Sequence, residues 1–82
     1  MYIHLGESTV VRDDEVIGFF DLETTTVSKH TRDFLKYAEK RKEVVNVSYE
    51  LPKSFIICNR KKENKVYISQ ISSTTLLKRS EI

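Results

Sequence analysis

The chain has 82 residues, with 14 Lys and Arg against 12 Asp and Glu, a formal net charge of +2, and 39% hydrophobic residues. That is enough for one domain over 1–82 and too few for two, and a domain this small buries only about 60% of its unfolded-chain surface. The single cysteine, Cys58, excludes disulfides, and Cys58, His4 and His30 are not spaced as zinc ligands, which leaves self-association into a homo-oligomer as the available support.

Tyr2-Ile3-His4-Leu5 reads as a first strand, turned by Gly6-Glu7-Ser8, and Thr9-Val10-Val11 resumes extended structure before the polar cluster Arg12-Asp13-Asp14-Glu15. Val16 to Leu22 is nearly continuously apolar, as a central strand buried on both faces would be. Gly18 inside it predicts a close approach of another backbone or a bulge. Thr24-Thr25-Thr26 is a stiff polar connector. Ser28 predicts an N-cap for a helix over about 29–42, whose Thr31, Phe34, Leu35, Ala38 and Tyr37 fall on one face and whose bases fall on the other.

The rest alternates. Val45, Val47 and Tyr49 oppose Val44, Asn46 and Ser48, as in a half-buried strand. Leu51-Pro52-Lys53 makes a turn, Phe55 to Cys58 a strand, Asn59 to Asn64 a charged hairpin loop, and Val66 to Ile71 the next strand. Ser72 to Thr75 supplies an N-cap signal for a short last helix at Leu76 to Arg79. The order of strands, helix, three antiparallel strands and helix predicts an α+β fold. It has one small antiparallel or mixed sheet, a packed helix and a short C-terminal helix.

Catalytic chemistry has no foothold in this pattern. There is no Gly-rich phosphate loop, no helix with paired His, and no Ser, Cys or Thr in a nucleophile setting. Cys58 reads as a small buried hydrophobe and Asp13-Asp14-Glu15 as a solvated turn. The reading is therefore a non-enzyme with no cofactor, no metal and no small-molecule substrate. The opening Met1 to Leu5 lacks a basic segment and runs into Gly6-Glu7, unlike an export signal, and no apolar run reaches the roughly 18–20 residues of a membrane span. With one unpaired cysteine, the cytoplasm is the expected compartment and a membrane is not an expected partner.

Charge is the remaining lead. Residues 1–28 hold one base and six acids, a net −5, whereas residues 29–82 hold thirteen bases and six acids, a net +7. The bases form three groups: Arg32, Lys36 and Lys40 with Lys42 on the helix, Lys53 in a turn, and Arg60, Lys61 and Lys62 with Lys65 around the hairpin. Phosphate neutralisation needs several cations on one surface and no particular motif, and a ring or stack would repeat a weak patch in every subunit.

Met1-Tyr2-Ile3-His4-Leu5-Gly6, Ile17-Gly18-Phe19-Phe20-Asp21, Pro52-Lys53-Ser54-Phe55-Ile56 and the stretch from Ser69 to Arg79, taken together and at their spacing, resemble the Rem family of bacterial extracellular-matrix regulators, on its RemB-like branch. The resemblance runs over nearly the whole chain. It implies a cytoplasmic regulator of biofilm matrix genes with a LytTR-like fold and ring assembly. In the related RemA branch it implies DNA contacts through arginines just before the second long strand and in the turn after the helix. Here the first position falls near Glu15, with Arg12 the nearest base. The second falls at Leu51-Pro52, where the chain is one residue shorter and Lys53 is the only base.

Two functions follow. One is an oligomeric regulator that binds double-stranded DNA through Arg12, Arg32, Lys36, Lys40, Lys53, Arg60, Lys61 and Lys62. The other is an oligomeric interaction module that modulates a paralogous regulator without touching DNA, its acidic part meeting the basic part of a neighbour head to tail.

Overall fold

The computed structural model describes residues 1–22 and 28–80, so the Thr24–Thr26 connector lies outside the described residues. The chain runs β1 (Tyr2–Gly6), β2 (Thr9–Arg12), a 3₁₀ turn (Asp13–Glu15), β3 (Val16–Asp21), α1 (Lys29–Lys40), β4 (Val44–Asn46), β5 (Ser54–Arg60), β6 (Glu63–Ser69) and α2 (Ser73–Ser80). β1 and β2 form a separate antiparallel hairpin, and the other four strands form a mixed sheet in the order β3-β5-β6-β4. The α+β class expected from the chain is the one observed.

The four-stranded sheet is covered on both faces. On one face Ile3, Leu5, Val11, Val47, Ile56, Cys58 and Leu76 form a buried cluster that joins the β1–β2 hairpin and α2 to the sheet. On the other, Leu22, Ala38, Phe55 and Val66 bury together, with Phe20, Leu35 and Val44 partly buried against them, and α1 lies there. Successive residues of β5 serve opposite faces, because side chains alternate across a strand. Phe55 faces α1 and stacks on Phe20 at 5.0 Å between ring centroids, while Ile56 and Cys58 face the hairpin.

Three assignments change. β1 and β2 pair only with each other, so there are two sheets where one was expected. The strand buried on both faces is β5, not β3: β3 is an outer strand and, Ile17 apart, its residues are only partly buried. Its apolar run reflects covering layers that extend over the edge, so that Phe19 serves the hairpin side and Phe20 the helix side. The last three strands are also not all antiparallel, for β4 runs parallel to β6, with Val44 opposite Val66 and Asn46 opposite Ile68. Strand pairing then ends. Val47 still donates its N–H to Ile68 at 2.9 Å, but Tyr49 is fully exposed.

Local details follow the chemistry of the residues. Register slips between Val16 and Gly18, making the expected bulge, and the ring of Phe20 lies over Gly18 where a Cβ would stand 2.9 Å away. α1 stops at Lys40 instead of Lys42. Lys42 adopts a φ of 60°, its N–H bonds to Glu39 at 3.0 Å, and the N–H of Glu43 bonds to Ala38 at 2.9 Å, closing the helix as glycine usually does. At the other end Ser28 is extended and its hydroxyl makes no capping bond. α2 is capped as expected, one turn earlier than expected: Ser72 Oγ accepts the N–H of Thr75 at 3.3 Å.

Two buried serines and Arg79 fasten the hairpin and α2 to the sheet. Ser69 Oγ donates to the carbonyl of Leu5 at 2.5 Å and accepts the N–H of Ile71 at 3.0 Å, so its full burial leaves nothing unmet. Ser54 Oγ donates to Ile71 at 2.7 Å, and Arg79 donates to the carbonyl of His4 at 2.7 Å.

Candidate nucleic-acid interface

The charged loop expected at 59–64 is shorter than it looked. β5 and β6 stay paired through Arg60 and Glu63, leaving a two-residue turn of Lys61 and Lys62 with φ of 51° and 68°. Positive φ at both positions is the geometry whose twist suits a tight hairpin, and Asn or Gly usually supply it. Here two lysines do, and Asn59 Nδ2 donates to Asn64 Oδ1 at 2.7 Å just behind them.

This turn brings bases from distant parts of the chain together. A groove of about 550 Å³ opens between the β1–β2 hairpin and the β5–β6 hairpin, and Arg12, Arg60, Lys61 and Lys65 all line it. Tyr2, Val10, Val11, Cys58 and Tyr67 complete its walls, together with Glu15 and Glu63. Three of the expected site residues, Arg12, Arg60 and Lys61, therefore share one surface. Arg32, Lys36 and Lys40 do not: they are exposed on α1, across the sheet, at the four-residue spacing that makes one stripe. Lys53 lies at the opposite end of β5 from the hairpin turn, roughly 20–25 Å away along seven extended residues. Lys62 is exposed at the tip and does not line the groove.

Carboxylates temper the groove. Arg12 donates to Asp14 at 2.8 Å, and Arg60 Nε stands 3.7 Å from Glu15. The second pair joins the acidic stretch to the basic one within a single chain. The Arg12–Asp14 pair is exposed on both sides and contributes about 0–1 kcal/mol, so a phosphate competes with it readily. Burial raises the Cys58 thiol from its ordinary 9.0 to about 11, with the nearby charge of Glu15 adding to it. The same causes raise Tyr67, burial first, then Cys58 and Glu15, against the opposing pull of Arg60. Both side chains remain protonated, so the groove floor is neutral.

Sequence reasoning passed over Tyr2, Glu15, Glu63 and Tyr67 as groove residues. The order of strands in space was the missing signal, since nothing in the spacing of residues 2, 15 and 67 places them together. A second groove runs between α2 and β3, lined by Ile3, Val16, Ile17, Phe19 and Leu77, and holds no base. Among the described residues no group of His, Cys, Asp and Glu could hold a metal ion, and no helix is long and apolar enough to cross a membrane.

Comparison with known proteins agrees with the earlier resemblance. Residues 2–79 match the model of the RemA-like family, described as extracellular matrix regulatory protein A-like. Extracellular matrix regulatory protein B of Bacillus subtilis (strain 168) is 37% identical over 81 residues, covering 99% of this chain and 91% of that protein. The chain belongs to the RemA-like family of extracellular matrix regulatory proteins and is RemB-like within it.

Proposed function

We propose that this protein is a non-enzymatic regulator of extracellular-matrix gene expression that assembles into a cytoplasmic homo-oligomer and binds duplex DNA through its phosphates. One RemA/RemB-like domain spans residues 1–82. The observation that carries the reading is the convergence of Arg12, Arg60, Lys61 and Lys65 on one groove, from strands far apart in sequence. Lys62 at the tip extends that surface, while Arg32, Lys36 and Lys40 offer a second, helical one, and Lys53 a third point of contact. A single copy presents few cations to a backbone, so an assembly that repeats the groove supplies the affinity. The base-free groove beside the outer edge of β3, where Ile17 and Leu77 are exposed beside Asp13 and the hydroxyls of Ser73, Thr74 and Ser80, suits subunit contact.

Titration of a DNA duplex tests this. Affinity should fall with added salt with a log–log slope of about 0.9 per neutralised phosphate. Absence of binding at micromolar protein and low salt overturns it. Light scattering that gives a monomer mass at low and high salt removes the assembly.

A second reading has its own support. Tyr49 and Leu51 are exposed in the turn where the family resemblance places an arginine pair, and both groove arginines already face carboxylates. In that reading the oligomer docks on a paralogous regulator. It then alters that protein's duplex affinity while binding no duplex alone.

A further inference from the structure

The two arginines of the groove are held by anions of different character. The side chain of Asp14 is 59% exposed, so water screens its pull on Arg12. The side chain of Glu15 is only 19% exposed, whereas its partner Arg60 is 72% exposed. The anion is thus seated in the groove wall and the cation stretches over it. A carboxylate withdrawn from water attracts its counter-charge more strongly and tolerates the loss of it less well, because less solvent remains to replace it.

The backbone fixes Glu15 in that place. It ends the 3₁₀ turn, whose closing bond runs from the N–H of Val16 to the carbonyl of Asp13. Val16 then pairs at once with Cys58 in the sheet. The N–H of Asp13 bonds to the carbonyl of Met1 at 3.0 Å, so the turn is tied at both ends. The effect of the Glu15 charge extends to Cys58 and Tyr67 on the groove floor.

We propose that Glu15 is an electrostatic gate on the groove: its seated carboxylate holds Arg60 in an internal pair, so that Arg60 is withheld from a bound polyanion. This rests on reading the groove as a polyanion site. Arg12, Lys61 and Lys65 bind the backbone directly, and Arg60 joins them only when the charge of Glu15 is removed. The groove is set below its full affinity by one residue.

Fluorescence anisotropy with a labelled DNA duplex tests the gate, using the wild type, Glu15→Gln, Arg60→Gln and the double variant, each checked for an unchanged melting temperature. One added phosphate contact makes Glu15→Gln bind about tenfold more tightly at about 50 mM salt and steepens the salt slope by about 0.9. Arg60→Gln alone binds as the wild type does, and in the double variant the gain disappears. If Glu15→Gln melts early, Glu15→Ala is measured in its place. A gate variant that binds no better than a wild type that does bind overturns the gate and spares the groove. A gain that survives in the double variant also overturns it, since Arg60 is then not what was withheld. No binding by any of the four proteins overturns the groove reading and the gate with it.

Discussion

The two faces of the four-stranded sheet are built to different standards. Under the hairpin and α2, Ile3, Leu5, Ile56 and Leu76 are at most 2% exposed, and serine and arginine hydrogen bonds lock the layers together. Under α1 the cluster is smaller, Leu35 is only partly buried, and Phe34 and Tyr37 of the helix's own apolar face are exposed. Charge follows the same division. The groove arginines face carboxylates, whereas Arg32, Lys36 and Lys40 make no ion pair among the described residues. A tightly packed face can hold charges at set distances and so tune them, while a looser helix offers charge without control. Counting cations along the chain cannot separate the two.

The contrast is broken most directly in the cores. Leu76→Ala should cost about 2–5 kcal/mol in chemical denaturation, because a fully enclosed side chain leaves a cavity. Leu35→Ala on the helix side should cost about 1–2 kcal/mol, since less apolar surface is lost from burial. Equal losses would erase the distinction. Cys58 sharpens it next. With its thiol at about 11 instead of 9.0, the thiolate is about a hundredfold scarcer at pH 8, and alkylation should slow in proportion. The protonated thiol is the form the fold favours, so this contribution is complete below pH 9.0 and is lost as pH rises through about 11. A melting temperature that rises over that interval would contradict the sign.

Smaller effects probe the fastenings. Ser69→Ala should cost about 1–3 kcal/mol by orphaning the carbonyl of Leu5 and the N–H of Ile71. Replacing Lys61 by Asn and Lys62 by Gly should do the opposite. It relieves two positive φ angles and raises stability by about 1 kcal/mol, while duplex affinity falls with the lost charges. A variant that is more stable and binds less well would show that these lysines serve the surface and not the fold.

Much of the fold could be read from the chain. The strand at Phe55 to Cys58, the bulge at Gly18 and the cap at Ser72 are local signals, and each acts where it stands. What escaped reading was relational. Nothing in Val44-Val45-Asn46 encodes whether a neighbour runs parallel, and the step from β4 back to β5 crosses β6 without a helix to announce it. The run from Val16 to Leu22 looked central because layers above and below reach the edge where it lies. Tyr49 continued an alternation whose strand had already ended. The candidate site shared this fate: its bases were all visible, as three groups and Arg12, but their division between a groove, a helix and a far turn depends on strand order.

The bond from Arg79 to His4 spans 75 positions and that from Ser69 to Leu5 spans 64. During synthesis from the N-terminus, the β1–β2 hairpin is made first and its covering helix last. Ile3 and Leu5 therefore stay incompletely covered until Leu76 has been made, and closure of this face must overcome the entropy of a loop nearly as long as the chain. The most tightly packed half of the molecule is the last that can form, and a folding rate set by such distant contacts should be slow for so small a protein.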